Sequence, residues 1–166
     1  MTGRMPMRGE AGPWLEMTAL WLGSAGAAGV VGNAAYDVIK AGIGRLRRPE
    51  VPPDAPDPEL VLVAREAANR QGGDSGVLNL SPDRELAEPG FDASCALTPD
   101  GCEFLFWNPH YGPTAAVEFS LDEESGKVKV VVRVPEKLVS QRTKDSAIAF
   151  GVLRTVDGWE PPLPPE

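Results

Sequence analysis

Hydrophobic and polar positions along the chain first set apart a long stretch without charge. No Asp, Glu, Lys or Arg occurs from Met17 to Tyr36, and half of these positions are Ala or Gly. Twenty residues of α-helix extend about 30 Å, close to the thickness of a bilayer's hydrocarbon core. The pattern therefore predicts an apolar, Ala/Gly-rich helix that spans a membrane or associates with one.

The flanks of this stretch indicate how such a helix would be placed. The residues predicted to contact anionic lipid head groups are Lys40, Arg45, Arg47 and Arg48. Cations on the C-terminal side predict an inner-membrane protein whose C-terminal domain is cytoplasmic. Two alternatives stay open, a buried helix of a soluble cytoplasmic protein and a secretory signal cleaved near Ala25–Ala27.

Small residues within the stretch predict helix packing. Ser24, Ala28 and Gly32 recur every four residues, so they share one helix face. Small side chains let helix backbones approach closely in a membrane. The pattern predicts a homo-oligomer formed through the N-terminal helix.

A helix face and a proline-rich segment follow. Tyr36, Ile39, Ile43 and Leu46 are spaced as one apolar face, which predicts that helix continues toward Pro49. Five prolines in residues 49–58 favour an extended tether. The predicted organisation is a helical membrane-associating segment (1–48), a linker (49–58), an acidic domain (59–158) and a flexible proline-rich tail (159–166).

The pattern beyond the linker predicts one helix and then an antiparallel meander. Asp57 and Pro58 suit the cap and first position of a helix that Gly72 and Gly73 would end. Thr98–Gly101 predicts a tight turn between two strands, with Thr98 opposite Gly101. Alternation of hydrophobic and polar residues predicts a second hairpin, whose two strands cover 117–121 and 127–134, in a sheet with one apolar and one wet face. The fold class is α+β, and the spacing of Ile148, Val152 and Val156 favours a last helix over 145–156, with a strand as the alternative.

Charge narrows the range of partners. The chain has a net charge of −8. Residues 1–48 carry six Lys/Arg against three Asp/Glu, whereas the remainder carries ten against twenty-one. Nucleic-acid binding requires Lys and Arg against phosphates, so an acidic body argues against it. Abundant Ala, Gly, Pro and Arg are typical of bacteria with GC-rich genomes.

Few residues of the sequence are candidates for a catalytic, metal-binding or ligand-binding site. The only cysteines, Cys95 and Cys102, are predicted to be free thiols, because the predicted turn does not place them directly opposite each other. The sequence indicates no catalytic residue, metal site or cofactor. One binding candidate is a predicted loop between two strands that holds Trp107, Asn108, His110 and Tyr111.

Three functions are compatible with these patterns. The first is a non-enzymatic protein-interaction or accessory module that its N-terminal helix localises to a membrane. The second is a self-assembling effector that perturbs membranes through the Gly/Ala-rich helix. The third is a small enzyme or ligand-binding domain that uses the His110 loop. The absence of recognisable catalytic motifs favours the first.

Overall fold

One antiparallel sheet with helices organises the part of the chain that the computed structural model describes, namely residues 13–22, 35–48, 57–74, 92–108, 112–156 and 158–160. The six strands of the sheet are β1 (Trp14–Leu22), β2 (Asp92–Thr98), β3 (Gly101–Asn108), β4 (Gly112–Asp122), β5 (Lys127–Pro135) and β6 (Arg154–Val156). Their order in the sheet is β2-β3-β4-β5-β1-β6. The helices are α1 (Ala35–Leu46), α2 (Pro58–Asp74), α3 (Gln141–Ala149) and a 3-10 turn at Glu136–Leu138. The predicted α+β class is confirmed.

The start of the predicted apolar helix is a strand. β1 pairs with β5 along its whole length, from Trp14 opposite Pro135 to Leu22 opposite Lys127, so the prediction of helix is wrong for 17–22. Residues 17–22 pair with β5, whereas β6 pairs only with Trp14–Glu16. A strand in a sheet can also lack charge, so absence of charge does not separate it from an apolar helix. Among the described residues no helix is long and apolar enough to cross a membrane.

The remainder of that stretch lies outside the described residues. Residues 23–34 include Ser24, Ala28 and Gly32, so the predicted packing seam and the oligomer built on it stay predictions. Most of the predicted linker also lies outside the described residues, because only its last two residues, Asp57 and Pro58, are described.

The predicted apolar face of α1 is confirmed. Ile39, Ile43 and Leu46 are buried in the main core, and Tyr36 packs against it. A Cβ atom on Gly42 would lie 2.4 Å from Cγ of Leu60 in α2, so the missing side chain permits close approach of the two helices. Residues from the 1–48 segment thus contribute to the same core as the predicted C-terminal domain.

The start of α2 follows its predicted cap. The Asp57 carboxylate accepts a hydrogen bond from the Leu60 amide over 3.1 Å, which satisfies one of the free donors in the first turn. The buried face of α2 contains Leu60, Ala64, Ala67 and Ala68. α1 and α2 contact each other and pack on β4 and β5, with α1 also contacting β1.

The meander from β2 to β5 is also confirmed. Thr98 lies opposite Gly101, and Cys95 and Cys102 are therefore opposite Phe104 and Leu97 respectively. On the face of the sheet that α1 and α2 cover, the inward side chains of β5 are all buried, namely Val128, Val130, Val132 and Val134.

The second face of the sheet is less wet than the alternation predicts. Trp14, Leu105 and Ala116 are buried there together with Trp107, and Trp159 packs against them. Glu16 is buried on the same face. We call this the outer face. Polar residues are buried there because they pair with one another, and sequence alternation does not report such pairing.

The end of the chain combines both predicted alternatives. α3 begins after Ser140, which accepts a hydrogen bond from the Thr143 amide, and ends at Ala149. A turn then leads to β6, which pairs with Trp14, Leu15 and Glu16 at the start of β1. The helix predicted over 145–156 is therefore correct to Ala149 and wrong for Arg154–Val156.

Candidate functional site

An ion-pair network crosses the outer face. Pairing of β1 with β5 and β6 places Glu16 opposite both Arg133 and Arg154, and pairing of β3 with β4 places Glu103 opposite Glu118. These three glutamates and two arginines, which come from five strands, form what we call the outer-face cluster. Three carboxylates against two guanidinium groups leave one negative charge in excess.

Arg133 is the centre of this cluster. Its Nε donates to Glu16 Oε2 over 3.0 Å, while its Nη1 donates to Glu118 Oε2 over 3.0 Å and to Glu103 Oε2 over 3.5 Å. The ring of Trp159 stacks on the guanidinium, with 5.1 Å from Cζ to the ring centroid. Arg133 therefore joins three strands and holds the segment that follows β6 against the sheet.

Glu16 connects the network to the edge strand. Its side chain is only 3% exposed, and its Oε1 accepts a 2.8 Å hydrogen bond from Nε of Arg154 and a second one from Nη2. Arg154 keeps 74% of its side chain exposed. The short β6 is thus fixed to the sheet by a buried carboxylate on β1.

The pKa of Glu103 depends on its burial and on the charged groups around it in the outer-face cluster. Burial raises the pKa of Glu103 above its usual value, and the nearby Glu118 carboxylate raises it further. Arg133 and a hydrogen bond donated by the Trp159 indole act in the opposite direction. In the described part of the chain, no three His, Cys, Asp or Glu side chains are placed to hold a metal ion.

The two thiols lie together under the helix-covered face. Cys95 and Cys102 are free and buried. A hydrogen bond donated by the Cys102 thiol to Cys95, together with burial, raises the pKa of Cys102, so its thiol stays protonated.

The predicted loop around His110 is only partly described. Trp107 and Asn108 belong to β3 rather than to a loop, and the Trp107 side chain packs on the outer face beside Leu105. His110 and Tyr111 lie outside the described residues. Binding by these four residues stays a prediction.

The four predicted lipid-contacting cations have different surroundings. Arg45 binds Asp57 through Nε and Oδ2 at 2.7 Å and Glu59 through Nη2 and Oε2 at 2.9 Å. The hydrogen bond from Arg45 lowers the pKa of Asp57 below its usual value. Arg45 therefore connects the end of α1 to the start of α2.

The other three cations differ from Arg45. Lys40 lies over the ring of Tyr36, with 5.8 Å from Nζ to the centroid. Arg47 is exposed and makes a 3.5 Å contact from Nη2 to the Pro99 carbonyl, and Arg48 is exposed as well. Lys40 is exposed too, and contact of these cations with lipid stays a prediction.

Three exposed apolar residues lie at the end of α3 and just after it, and the sequence pattern did not predict Phe150 among them. Phe150 is 84% exposed, and Ile148 in α3 and Val152, each two residues from it in the chain, are exposed as well. We call Ile148, Phe150 and Val152 the apolar knob. A further exposed apolar residue, Leu138, lies in the 3-10 turn just before α3.

The backbone holds the knob in a defined shape. The Gly151 amide donates to the Ile148 carbonyl over 3.0 Å, and the Val152 amide donates to the Ala147 carbonyl over 2.8 Å. Gly151 has a φ of 74°. These features make a Schellman motif, in which a glycine in the left-handed region ends the helix. In the sequence, Gly151 is the signal that α3 ends here. Because the helix ends at this glycine, Phe150 and Val152 do not belong to an apolar helix face.

Comparison of the chain with protein-family models, with curated proteins and with solved structures gives no match.

Proposed function

We propose that this chain is a non-enzymatic protein-interaction module and that a partner protein docks on the apolar knob. The observation that supports the proposal is the 84% exposure of Phe150 beside two other exposed apolar residues. Isolated apolar residues on a surface are ordinary, whereas adjoining ones are typical of contact sites.

Preorganisation supports the same proposal. Aromatic residues are among those enriched at the centres of protein interfaces, where a few anchors provide most of the affinity. Phe150 is the C-cap of α3 and is held by the hydrogen bonds that end the helix. This segment would therefore lose little conformational freedom when a partner binds, which favours affinity.

We predict that Phe150→Ala removes partner binding without unfolding the protein. Truncating an interface anchor costs about 2 kcal/mol or more, which weakens binding at least about thirty-fold. Stability should change by less than about 0.5 kcal/mol, because the side chain is exposed. The measurement is recovery of the tagged full-length protein from cells with its bound proteins, combined with thermal unfolding of each variant.

Leu62→Ala is the matched control for this experiment. Leu62 is 60% exposed on α2, outside the apolar knob. The proposal requires that a stoichiometric partner is retained by wild type and Leu62→Ala and lost by Phe150→Ala. Equal loss from both variants, or retention by Phe150→Ala, would contradict it.

A second proposal concerns localisation. We propose that the protein associates with the surface of an anionic membrane through Arg47 and Arg48, which are exposed at the end of α1. This replaces a spanning helix from Met17, because Met17–Leu22 belongs to β1.

We predict that Arg47→Gln/Arg48→Gln weakens binding of the protein to vesicles of phosphatidylserine and phosphatidylcholine. Each cation near such a surface contributes about 1 kcal/mol, so losing two should weaken binding roughly thirty-fold. Arg45→Gln should have a smaller effect, because Asp57 and Glu59 already balance its charge. Vesicle sedimentation measures all three proteins. Absence of wild-type binding at low salt would refute surface association.

A further inference from the structure

One side of β1 is paired over only part of its length. β5 pairs with the whole of β1, whereas β6, on the other side, pairs only with Trp14–Glu16. Among the strands of the described residues, none pairs with the second half of β1 on the side of β6. We call this side of Thr18–Leu22 the open edge.

The hydrogen bonds of the sheet show which backbone groups the open edge presents. In an antiparallel pair, residues that bond the neighbouring strand alternate with residues whose N–H and C=O point away from it. The Glu136 amide donates to the Pro13 carbonyl over 2.9 Å, and the register that sets Trp14 opposite Pro135 also sets these two residues opposite each other. Odd-numbered residues of β1 therefore bond β5, and even-numbered ones point their backbone groups the other way.

Three residues follow from this alternation as the ones that face the open edge. Trp14 and Glu16 point their backbone groups at β6, with which they pair. Thr18, Leu20 and Leu22 point theirs in the same direction, beyond the end of that pairing. Such a row of N–H and C=O groups is complementary to one kind of occupant, an extended backbone that adds a further strand to the sheet.

The open edge lacks the features that keep other strands away. Edge strands of native proteins are commonly protected by charged side chains, by Pro or by a bulge. No charged residue or Pro occurs in Met17–Leu22, and its pairing with β5 runs without a shift in register. The added strand therefore meets no charge along this segment.

We propose that the open edge pairs with the open edge of a second copy of this chain, so that two six-stranded sheets become one continuous sheet. An antiparallel pairing about a two-fold axis at Leu20 sets this residue opposite itself and sets Thr18 opposite Leu22. All three point their backbone groups outward, so each facing pair exchanges two hydrogen bonds. The same segment supplies both the edge and a strand that satisfies it, which selects a second copy as the occupant.

The dimer should be reversible and should respond to salt in one direction. A short strand edge is small beside stable interfaces, which bury about 800 Å² per partner, so we expect exchange between monomer and dimer. Each copy has a net charge of −8, although the paired segment itself is uncharged. Salt screens the repulsion between two acidic bodies, so it should strengthen the association.

Sedimentation velocity of the full-length protein from about 5 µM to about 500 µM, at low and high salt, measures the association. In Leu20→Pro the outward N–H is lost, whereas the groups that bond β5 are kept, so the sheet should persist. We expect Leu20→Pro to weaken dimerisation at least tenfold, because both bonds of the central pair are lost. Leu20→Ala keeps this N–H and should dimerise within severalfold of wild type. Thermal unfolding of each variant checks its fold.

Disulfide trapping tests the register without proline. Opposed residues that exchange hydrogen bonds have Cα atoms about 5.5 Å apart, which a disulfide can bridge. Leu20→Cys should therefore form a covalent dimer under mild oxidation. In the matched variant Thr18→Cys, the two new thiols are four positions out of register, about 14 Å apart, and should not link. Cys95 and Cys102 are buried and give the same background in both variants.

Several results would overturn the inference. They are a wild-type protein that stays monomeric at about 500 µM in high salt, association that salt weakens, a folded Leu20→Pro variant that dimerises as wild type does, and equal linking of Thr18→Cys and Leu20→Cys. A monomeric protein that loses a cellular partner through Leu20→Pro, but not through Leu20→Ala, would also overturn it, since the open edge would then pair with another protein. Phe150→Ala should leave the dimer intact, so the proposed function is tested separately.

Discussion

Arg133→Met should lower the free energy of unfolding by about 3–5 kcal/mol at neutral pH, because it removes the central cation of a buried ion-pair network. Arg133 is 11% exposed and bonds Glu16, Glu103 and Glu118. Without it, three carboxylates on the outer face would retain only Arg154 as a counter-charge. Met preserves much of the aliphatic volume, so the variant tests charge rather than packing.

The pH dependence of this variant has a definite sign. In Arg133→Met, loss of the cation that opposes burial should raise the pKa of Glu103 in the folded protein further above its unfolded value. Groups with raised pKa stabilise the folded state at low pH, and this contribution is lost as pH rises through the folded-state pKa. The difference from wild type should therefore be larger at about pH 7 than at about pH 4. Urea unfolding at both pH values measures it.

Glu103→Gln is the control for the same network. Burial already raises the pKa of Glu103, and removing its charge leaves two carboxylates with two guanidinium groups. We expect its stability to stay within about 1 kcal/mol of wild type. If Arg133→Met were equally mild, or if its effect did not change with pH, the network would not stabilise the fold as described.

Gly101→Ala should destabilise the protein by about 3 kcal/mol, near the upper end of the usual cost of overpacking. A Cβ atom at this position would lie 1.8 Å from the carbonyl oxygen of Phe119 on β4. The obstacle is backbone in a paired strand, so relief requires movement of β3 away from β4. The loss of β3–β4 pairing should also expose part of the core around Phe119.

Gly44→Ala is the matched control. Gly44 lies in α1, and a Cβ atom there would meet nothing within 4 Å. Ala in an unobstructed helix position should stabilise the protein by about 0.5–1 kcal/mol. Thermal unfolding of both variants compares them directly. A neutral Gly101→Ala would show that β3 and β4 are farther apart than the structure indicates.

Glycine at 101 shows how a correct sequence prediction can rest on an incomplete reason. The sequence placed Gly101 at the end of a turn, and the observed register agrees, with Thr98 opposite Gly101. The turn does not require a positive φ at Gly101. The close approach of Phe119, about which local sequence says nothing, is what excludes a side chain.

The residues of the candidate site were also only partly predictable from the sequence. The sequence predicts Trp107 as a binding residue, and this stays a prediction; the structure places its side chain beside Leu105 on the outer face. Phe150 is not predicted from the sequence, because Ile148, Val152 and Val156 suggest one helix face. Helix periodicity cannot report that the chain leaves the helix at Gly151, although the glycine itself could have indicated it.

By itself, the sequence determined the elements whose pattern has a single structural interpretation. Val128, Val130, Val132 and Val134 alternate with polar residues over most of β5, and Asp57 with Pro58 marks the start of α2, because strand pleat and helix capping are local effects. Only the tertiary structure decided whether Met17–Leu22 forms a helix or a strand. An uncharged segment can be placed in a bilayer, under helices or in a sheet, and the hydrophobic effect does not distinguish these environments. Pairing with β5, more than one hundred residues away, makes it a strand.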